Sequence, residues 1–138
     1  MYSHWVVGFL FRNEGKEVVL VLKTHPAWQK GKLNGVGGHI DKGETPEAAM
    51  RREFLEEAGA DVKEWKEFLL LKVQDGQVHF FVAHGDYRIT SMTDEKVGWY
   101  ELATLDEGKL LKNNRWILLL AADRGTKHAV IEYFQDQQ

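Results

Sequence analysis

Three glutamates lie close together near the middle of the 138-residue chain, in the segment PEAAMRREFLEEAG. If this segment is a helix, Glu53, Glu56 and Glu57 stand at positions i, i+3 and i+4, so their carboxylates share one face. Like charges at that spacing repel one another. A divalent cation that prefers hard oxygen ligands, such as Mg²⁺ or Mn²⁺, would relieve the repulsion. The spacing favours a metal site over the plainer reading, a solvated acidic face.

The apolar residues of the same segment predict where the carboxylates lie. Met50, Phe54 and Ala58 recur at i, i+4 and i+8 and should face a core. Glu53 and Glu57 lie immediately beside this row. We therefore expect the carboxylates at the border of the core, where a partly buried acidic cluster needs a compensating positive charge.

The ends of this helix are marked by residues that favour helix boundaries. Thr45 is a suitable N-cap, Pro46 fits the first helical position, and Gly59 suits the residue after the last turn. The preceding stretch, 33–40, reads LNGVGGHI and is too rich in glycine for an ordinary strand. It predicts a place where a ligand or another backbone approaches closely.

The other periodic segments predict the elements that position this helix. Apolar and β-branched runs indicate strands at 4–11, 17–23, 67–73, 77–84 and 97–102, and a further strand is favoured at 128–134. The first two strands should form one hairpin, and the third and fourth another. A second helix is predicted at 114–123. This order predicts an α/β layered domain with a mixed sheet, which we take as one domain spanning 1–138.

Composition excludes several classes of protein. The chain has no cysteine, which rules out disulfides, zinc fingers and thiol catalysis. Residues 41–57 hold six acids and three bases, so the whole net charge of −3 belongs to the proposed metal site, and a nucleic-acid-coating surface is not expected. The apolar runs are too short to span a bilayer, and no secretory leader is apparent. We expect a cytoplasmic protein without membrane contact.

The residues around the acidic helix form a recognisable motif. Gly38 is followed after five residues by Glu44, and seven further residues separate Glu44 from Arg52-Glu53. Phe54 comes next, then one residue, then Glu56-Glu57, one more residue and Gly59. This pattern resembles the Nudix box at every fixed position, with Phe54 and Ala60 standing where an aliphatic residue is usual. The similarity extends to the strands before the box and to the region from Trp99 to Trp116. It implies the Nudix α/β/α sandwich and hydrolysis of a nucleoside diphosphate linked to another moiety.

The resemblance also implies roles for residues of the box. Glu56, Glu57 and the carbonyl of Gly38 are expected to bind the metal, and Glu53 to bind metal or a metal-bound water and act as general base. Arg52 and Glu44 should form an internal pair that orients the carboxylates. Glu95, in the loop before Trp99, matches a further acidic ligand of the family, or is simply a surface loop residue.

Substrate residues are suggested outside the box. Lys23 is a candidate for binding phosphates, whereas Arg12 is interpreted as a solvated turn residue. Asn34 resembles a base-binding asparagine of the members that clean oxidised purine nucleotides, and is equally interpreted as a turn former. Trp28 either stacks on a base or covers its loop.

Two asparagines precede the last helix, at the place where those same members hold acidic or amide base readers. Asn113 and Asn114 are candidates for this role, and Asn114 is alternatively a helix N-cap. The acidic pair of the purine-cleaning members is absent, which leaves recognition of an oxidised guanine open.

The leading interpretation is a Mg²⁺-dependent pyrophosphohydrolase that converts nucleoside triphosphates, including oxidised or deoxy forms, to a monophosphate and pyrophosphate. It would act on free nucleotides as a monomer or homodimer. An alternative substrate is ADP-ribose or a nucleotide-sugar. A non-catalytic nucleotide-sensing domain is a third reading, although such domains usually have a damaged box and this one is intact.

Overall fold

The elements of the fold come from a computed structural model that describes residues 2–125 and 127–132. Its strands are β1 (Ser3–Arg12), β2 (Glu17–Leu22), β3 (Leu33–Asn34), β4 (Val36–His39), β5 (Lys66–Val73), β6 (Gly76–His84), β7 (Lys96–Glu101) and β8 (Ala129–Glu132). Its helices are α1 (Pro46–Ala58) and α2 (Asn114–Ala122). Short 3-10 turns occur at Ala27–Gln29, Leu102–Thr104 and Glu107–Lys109.

Within these described residues the strands form one mixed sheet in the order β3-β2-β1-β6-β5-β8, with β4 added to β1 and β7 to β2. The hairpins β1–β2 and β5–β6 are antiparallel, as predicted. The pairs β1–β6 and β5–β8 are parallel. The central pair runs in register from Ser3 opposite Gly76 to Phe11 opposite His84. The α/β class and the mixed sheet are confirmed.

Alternation along β1 sends side chains to two separate cores. Val6 and Leu10 belong to the core beneath α1, whereas Phe9 and Phe11 belong to the core beneath α2. The predicted apolar row of α1, Met50, Phe54 and Ala58, is fully buried. The sheet therefore lies between the helices as an α/β/α sandwich, and α1 holds its acidic edge against one face.

The glycine-rich stretch before α1 differs in part from the sequence prediction. It forms two short strands, and β4 pairs residue by residue with β1, so the expectation of no ordinary strand is wrong. The predicted close approach is confirmed, because a Cβ at Gly37 would lie 1.9 Å from the carbonyl oxygen of Val6. Glycine is thus required by the packing of β4 against β1.

The end of the chain agrees with the prediction where it is described. Strand β8 lies inside the predicted strand at 128–134, while residues 133 and 134 fall outside the described residues. Of the helices in the described ranges, the longer has 13 residues, and neither has the length and apolar character needed to cross a bilayer.

Candidate active site

Helix α1 begins and ends where its capping residues predict. The Thr45 hydroxyl oxygen accepts a hydrogen bond from the Ala48 N–H at 3.1 Å, and Pro46 is the first helical residue. Gly59 adopts a φ of 74° and donates its N–H to the Leu55 carbonyl. With both ends defined, the helix fixes the direction in which its glutamates project.

Strand β4 lies directly against the acidic face of α1. A Cβ at Gly38 would lie only 2.6 Å from the carboxylate of Glu53. The backbone of β4 and the helix carboxylates are therefore in contact, with no room for a side chain between them. Gly38, predicted as a backbone ligand, lies beside Glu53, predicted as ligand and base.

Arg52 connects the loop before the helix to the helix itself. It donates two hydrogen bonds to Glu44, at 2.7 and 2.9 Å, and one to the His39 carbonyl at 3.0 Å. It also donates to Glu53 at 2.9 Å and to Glu56 at 3.3 Å. The forked bond to Glu44 raises the pKa of Arg52 and lowers the pKa of Glu44. The predicted Arg52–Glu44 pair is present in the structure.

Glu57 is a carboxylate whose negative charge the surrounding residues destabilise. Among the described residues, its buried Oε2 has no hydrogen-bond partner. Burial, and next the adjacent Glu53, raise the pKa of Glu57 to about 9, and Lys23 acts in the opposite direction. Glu57 therefore favours sharing a proton with Glu53, or having a cation beside both.

Glu95 faces this cluster from the loop before β7 and is only 4% exposed. It accepts hydrogen bonds from Lys23 Nζ at 3.0 Å and from the Thr24 backbone N–H at 2.7 Å. Burial alone would raise the pKa of Glu95, but the bonds from Thr24 and Lys23 outweigh it, and the pKa lies below its ordinary value. The predicted ligand Glu95 and the predicted phosphate binder Lys23 are thus bonded to each other.

The donor atoms fit a divalent cation. Within residues 2–125 and 127–132, no three His, Asp or Glu side chains form a ready-made cage. The fit rests instead on Glu57, whose buried oxygen lies beside a second carboxylate and has no partner in the described part of the chain. Oxygens of Glu53, Glu56 and Glu57 and the Gly38 carbonyl would hold the ion, which matches the preference of Mg²⁺ and Mn²⁺ for oxygen ligands.

The predicted substrate residues form a second group around β3. Asn34 lies in β3, and Asn114 at the start of α2 donates a hydrogen bond to it at 2.9 Å. Asn113, not Asn114, occupies the N-cap position, and its side chain makes no capping bond, so the N-cap interpretation of Asn114 is wrong. Trp28 is 71% exposed, which argues against a covering role and leaves its ring accessible.

Arg12 differs from the prediction of a solvated turn residue. It ends β1, and its guanidinium lies over the Trp99 ring at 4.1 Å from the ring centre. It also pairs with Glu17 and Asp86. The prediction was wrong because Trp99 and Asp86 are distant in sequence and nothing local indicates them.

Sequence reasoning also missed two residues that contact the site. Thr24 anchors Glu95, and Gln29 contacts Asn34 through its side chain. Both lie in the loop between β2 and β3 that carries Trp28. No pattern in the sequence distinguishes them from ordinary polar loop residues.

The fold and the acidic helix together define a Nudix domain, and comparison with known proteins agrees. The family model for the NUDIX domain matches residues 2–123, so the chain belongs to the NUDIX domain family. Over 50 residues it is 42% identical to the 8-oxo-dGTP diphosphatase of Escherichia coli (strain K12). That match spans 36% of this chain and 39% of the relative's length.

Solved structures show the same fold over most of the chain. The MutT protein from Bacillus halodurans has a TM-score of 0.75 and 18% identity, covering 95% of this chain and 90% of that one. The MutT NUDIX hydrolase from Burkholderia pseudomallei has a TM-score of 0.75 and 19% identity, covering 87% and 98%. At these identities the structures establish the fold alone.

Proposed function

We propose that the protein hydrolyses nucleoside triphosphates, including deoxy or oxidised purine forms, to a monophosphate and pyrophosphate, with Mg²⁺ as its metal. The observation that carries the proposal is the Glu57 oxygen, which is buried without a partner among the described residues and lies beside Glu53, whose carboxylate in turn lies against Gly38. Burying a carboxylate in this way is costly unless a cation compensates it. An intact acidic helix that carries a carboxylate in need of a cation is suited to catalysis rather than to sensing.

The residues of the site have separate roles in the proposed reaction. A bound divalent cation neutralises charge on phosphate oxygens and makes a water more acidic. Glu53 accepts the proton of the attacking water as general base, while Arg52 holds one of its oxygens at 2.9 Å and fixes its direction. Lys23 lies beside Glu95 at the edge of the cluster, from which its ammonium can bind a phosphate oxygen.

The other end of the substrate is assigned to the group around β3. Asn34 binds the base, Trp28 stacks on it, and Asn113, the N-cap residue of α2, is a further base-binding candidate. The substrate in this proposal is a free nucleotide of the cytoplasm rather than a nucleic-acid polymer, and the enzyme acts as a monomer or homodimer. The E. coli relative, an 8-oxo-dGTP diphosphatase, supports a purine substrate.

The reaction class is tested by a substrate panel. Purified protein with Mg²⁺ or Mn²⁺ is given canonical and oxidised nucleoside triphosphates, ADP-ribose and nucleotide-sugars, and the products are separated by ion-exchange chromatography. We expect a monophosphate and pyrophosphate from a triphosphate. Turnover of ADP-ribose or a nucleotide-sugar alone would move the function to the alternative substrate class, and binding without turnover would indicate a sensor.

The role of Glu53 is tested by Glu53→Gln, which keeps the size of the side chain and removes the base. We expect kcat to fall by about 10²–10⁴-fold, because a general base contributes that much, with little change in melting temperature. The control is Glu47→Gln, an exposed glutamate in the first turn of the same helix, which should retain full activity. Retention of most activity by Glu53→Gln would assign the base to another residue.

A further inference from the structure

Arg52 and Lys23 both bond to carboxylates of the acidic site, but the two cations are held differently. Arg52 donates five hydrogen bonds, at 2.7 to 3.3 Å, which is as many as a guanidinium has N–H groups. In the described part of the chain, Lys23 Nζ donates one hydrogen bond, to Glu95 Oε1 at 3.0 Å. An ammonium has three N–H groups, so Lys23 is the cation that can move without breaking a network.

The two oxygens of Glu95 have different partners. Oε2 accepts hydrogen bonds from the Thr24 backbone N–H at 2.7 Å and from the Thr24 hydroxyl at 3.2 Å. Oε1 accepts the bond from Lys23. Glu95 therefore stays anchored through Oε2 if the ammonium leaves. Because Glu95 is only 4% exposed, its Oε1 would then need another positive partner.

The charge of Lys23 also acts on the carboxylates of α1. Burial is the largest cause that raises the pKa of Glu57 to about 9, and the contact with Glu53 comes next. Lys23 lowers this pKa, whereas Glu95 raises it. The ammonium thus already offsets part of the negative charge that a divalent cation would neutralise. A divalent cation bound by Glu57 would repel an ammonium so close to it.

The side chain of Lys23 can move because its backbone is held separately. The Lys23 backbone N–H donates to the Lys32 carbonyl at 2.9 Å, and the Lys23 carbonyl accepts from the Gly31 N–H at 2.8 Å. The side chain is 15% exposed, and its four-carbon stem is flexible. The ammonium can therefore leave Glu95 while the end of β2 stays in place.

We propose that Lys23 is a displaceable counter-ion of the site, whose ammonium occupies Glu95 Oε1 until a divalent cation binds and then leaves that oxygen. The released ammonium binds a phosphate of the substrate, a step that rests on the proposed function. Lys23 therefore opposes metal binding by the protein alone and favours binding of an anionic substrate once the metal is present. Metal and substrate binding become cooperative through this side chain.

The first test measures Mn²⁺ binding without any nucleotide, from the electron paramagnetic resonance signal of the free ion. We expect Lys23→Met to bind Mn²⁺ about tenfold more tightly than the wild type, because no hydrogen bond between charged groups has to be broken. Lys23→Arg keeps the charge and should bind no more tightly than the wild type. The matched control is Lys96→Met, which removes an exposed lysine opposite Leu22 and should bind as the wild type does.

The second test observes the ammonium of the wild-type protein directly by heteronuclear NMR. Without metal, the Lys23 ammonium should exchange its protons slowly with water, because it is bonded to a buried carboxylate. Adding Mg²⁺ should shift its signal and speed the exchange. Thermal melts give an independent check, since metal-free Lys23→Met leaves Glu95 without its cation and should melt below Lys96→Met, with a larger rise on adding Mg²⁺.

Several outcomes would overturn this inference. Equal Mn²⁺ affinities of the wild type and a folded Lys23→Met would do so, and so would an ammonium signal that Mg²⁺ leaves unchanged. Equally tighter binding by Lys23→Met and Lys96→Met would assign the effect to net charge alone. If Lys23→Met does not fold, the ammonium signal of the wild type decides.

The same measurements keep this inference separate from the proposed function. If Mn²⁺ binding and the ammonium signal behave as expected but the wild type hydrolyses no nucleoside triphosphate, the proposed function fails and Lys23 remains the counter-ion of a metal site. If the wild type is active, Lys23→Met should raise KM for the triphosphate at saturating Mg²⁺. An unchanged KM would overturn the role of the released ammonium in binding phosphate.

Discussion

At the scale of single residues, the site is dominated by one carboxylate oxygen that no hydrogen bond satisfies among the described residues. Glu57 is half-buried, lies beside Glu53, and keeps one buried oxygen without a partner among the described residues. Arg52 does not relieve it, because its guanidinium is bonded to Glu44, Glu53 and Glu56. Local instability of this kind is typical of residues selected for function.

Glu57→Gln tests this instability directly. Because the folded state raises the pKa of Glu57 to about 9, the metal-free protein loses stability as pH rises from the ordinary range of a carboxyl toward 9. Removing the charge should therefore raise the melting temperature of the metal-free protein, and the gain should be larger at pH 8 than at pH 5. Thermal melts at both values, with Glu47→Gln as the control, measure it.

The same variant should lose the stabilisation that Mg²⁺ gives the wild type. A ligand that binds only the folded state raises the melting temperature with its concentration, and the amide of the variant would be a poorer ligand than a carboxylate. If Glu57→Gln melted lower than the wild type without metal, or kept the whole Mg²⁺-induced rise, Glu57 would be an ordinary structural residue.

At the scale of elements, the site depends on how closely β4 approaches its two neighbours. One glycine of β4 lies against the backbone of β1, and the next lies against a carboxylate of α1. Strand and helix can be this close only because neither glycine has a side chain. The two positions nevertheless carry different consequences, since a backbone cannot move aside and the end of a glutamate can.

Replacing each glycine by alanine separates these consequences. In Gly37→Ala, the Cβ would meet the Val6 carbonyl at 1.9 Å, and we expect a loss of about 1–3 kcal/mol or more of stability. In Gly38→Ala, the Cβ would displace the Glu53 carboxylate, so kcat should fall at least about tenfold while the protein stays folded. Denaturant titration and steady-state kinetics of both variants measure the difference. A fully active Gly38→Ala would show that Glu53 acts from another position.

At the scale of the whole molecule, the site is closed by contacts between distant segments. The loop after β2 and the loop before β7 meet where Glu95 accepts hydrogen bonds from Lys23 and Thr24. Elsewhere in the sheet, Glu67 of β5 contacts His79 of β6 and His128 beside β8. The first set of contacts ties the Trp28 loop to the acidic cluster, and therefore joins the two halves of the proposed nucleotide site.

Glu95→Gln tests whether Glu95 holds the two loops together through hydrogen bonds or binds the metal. A glutamine cannot satisfy both the Lys23 ammonium and the Thr24 N–H as a carboxylate does, so the metal-free protein should lose about 1–3 kcal/mol of stability. The neighbouring exposed residue gives the control, Asp94→Asn, which should melt as the wild type does. If the melting temperature without metal were unchanged and its rise on adding Mg²⁺ were smaller, Glu95 would be a metal ligand and not a structural residue.

What the sequence by itself determined is the acidic helix and the class of the protein. The i, i+3, i+4 spacing of its glutamates, its buried row, and its caps at Thr45 and Gly59 are set by residues within about one turn of one another. The hairpins and the second helix were predictable for the same reason, and the order of elements was sufficient to predict the mixed sheet.

Only the tertiary structure decided which side chains meet. The fold buries the Glu57 oxygen that has no partner among the described residues. The bonds from Lys23 and Thr24 to Glu95 and the stacking of Arg12 on Trp99 join segments remote in sequence. Asn114, a candidate base reader, is buried and donates a hydrogen bond to Asn34, whereas the N-cap position belongs to Asn113. Burial and hydrogen-bond partners depend on how the sheet brings distant segments together, and no local pattern encodes them.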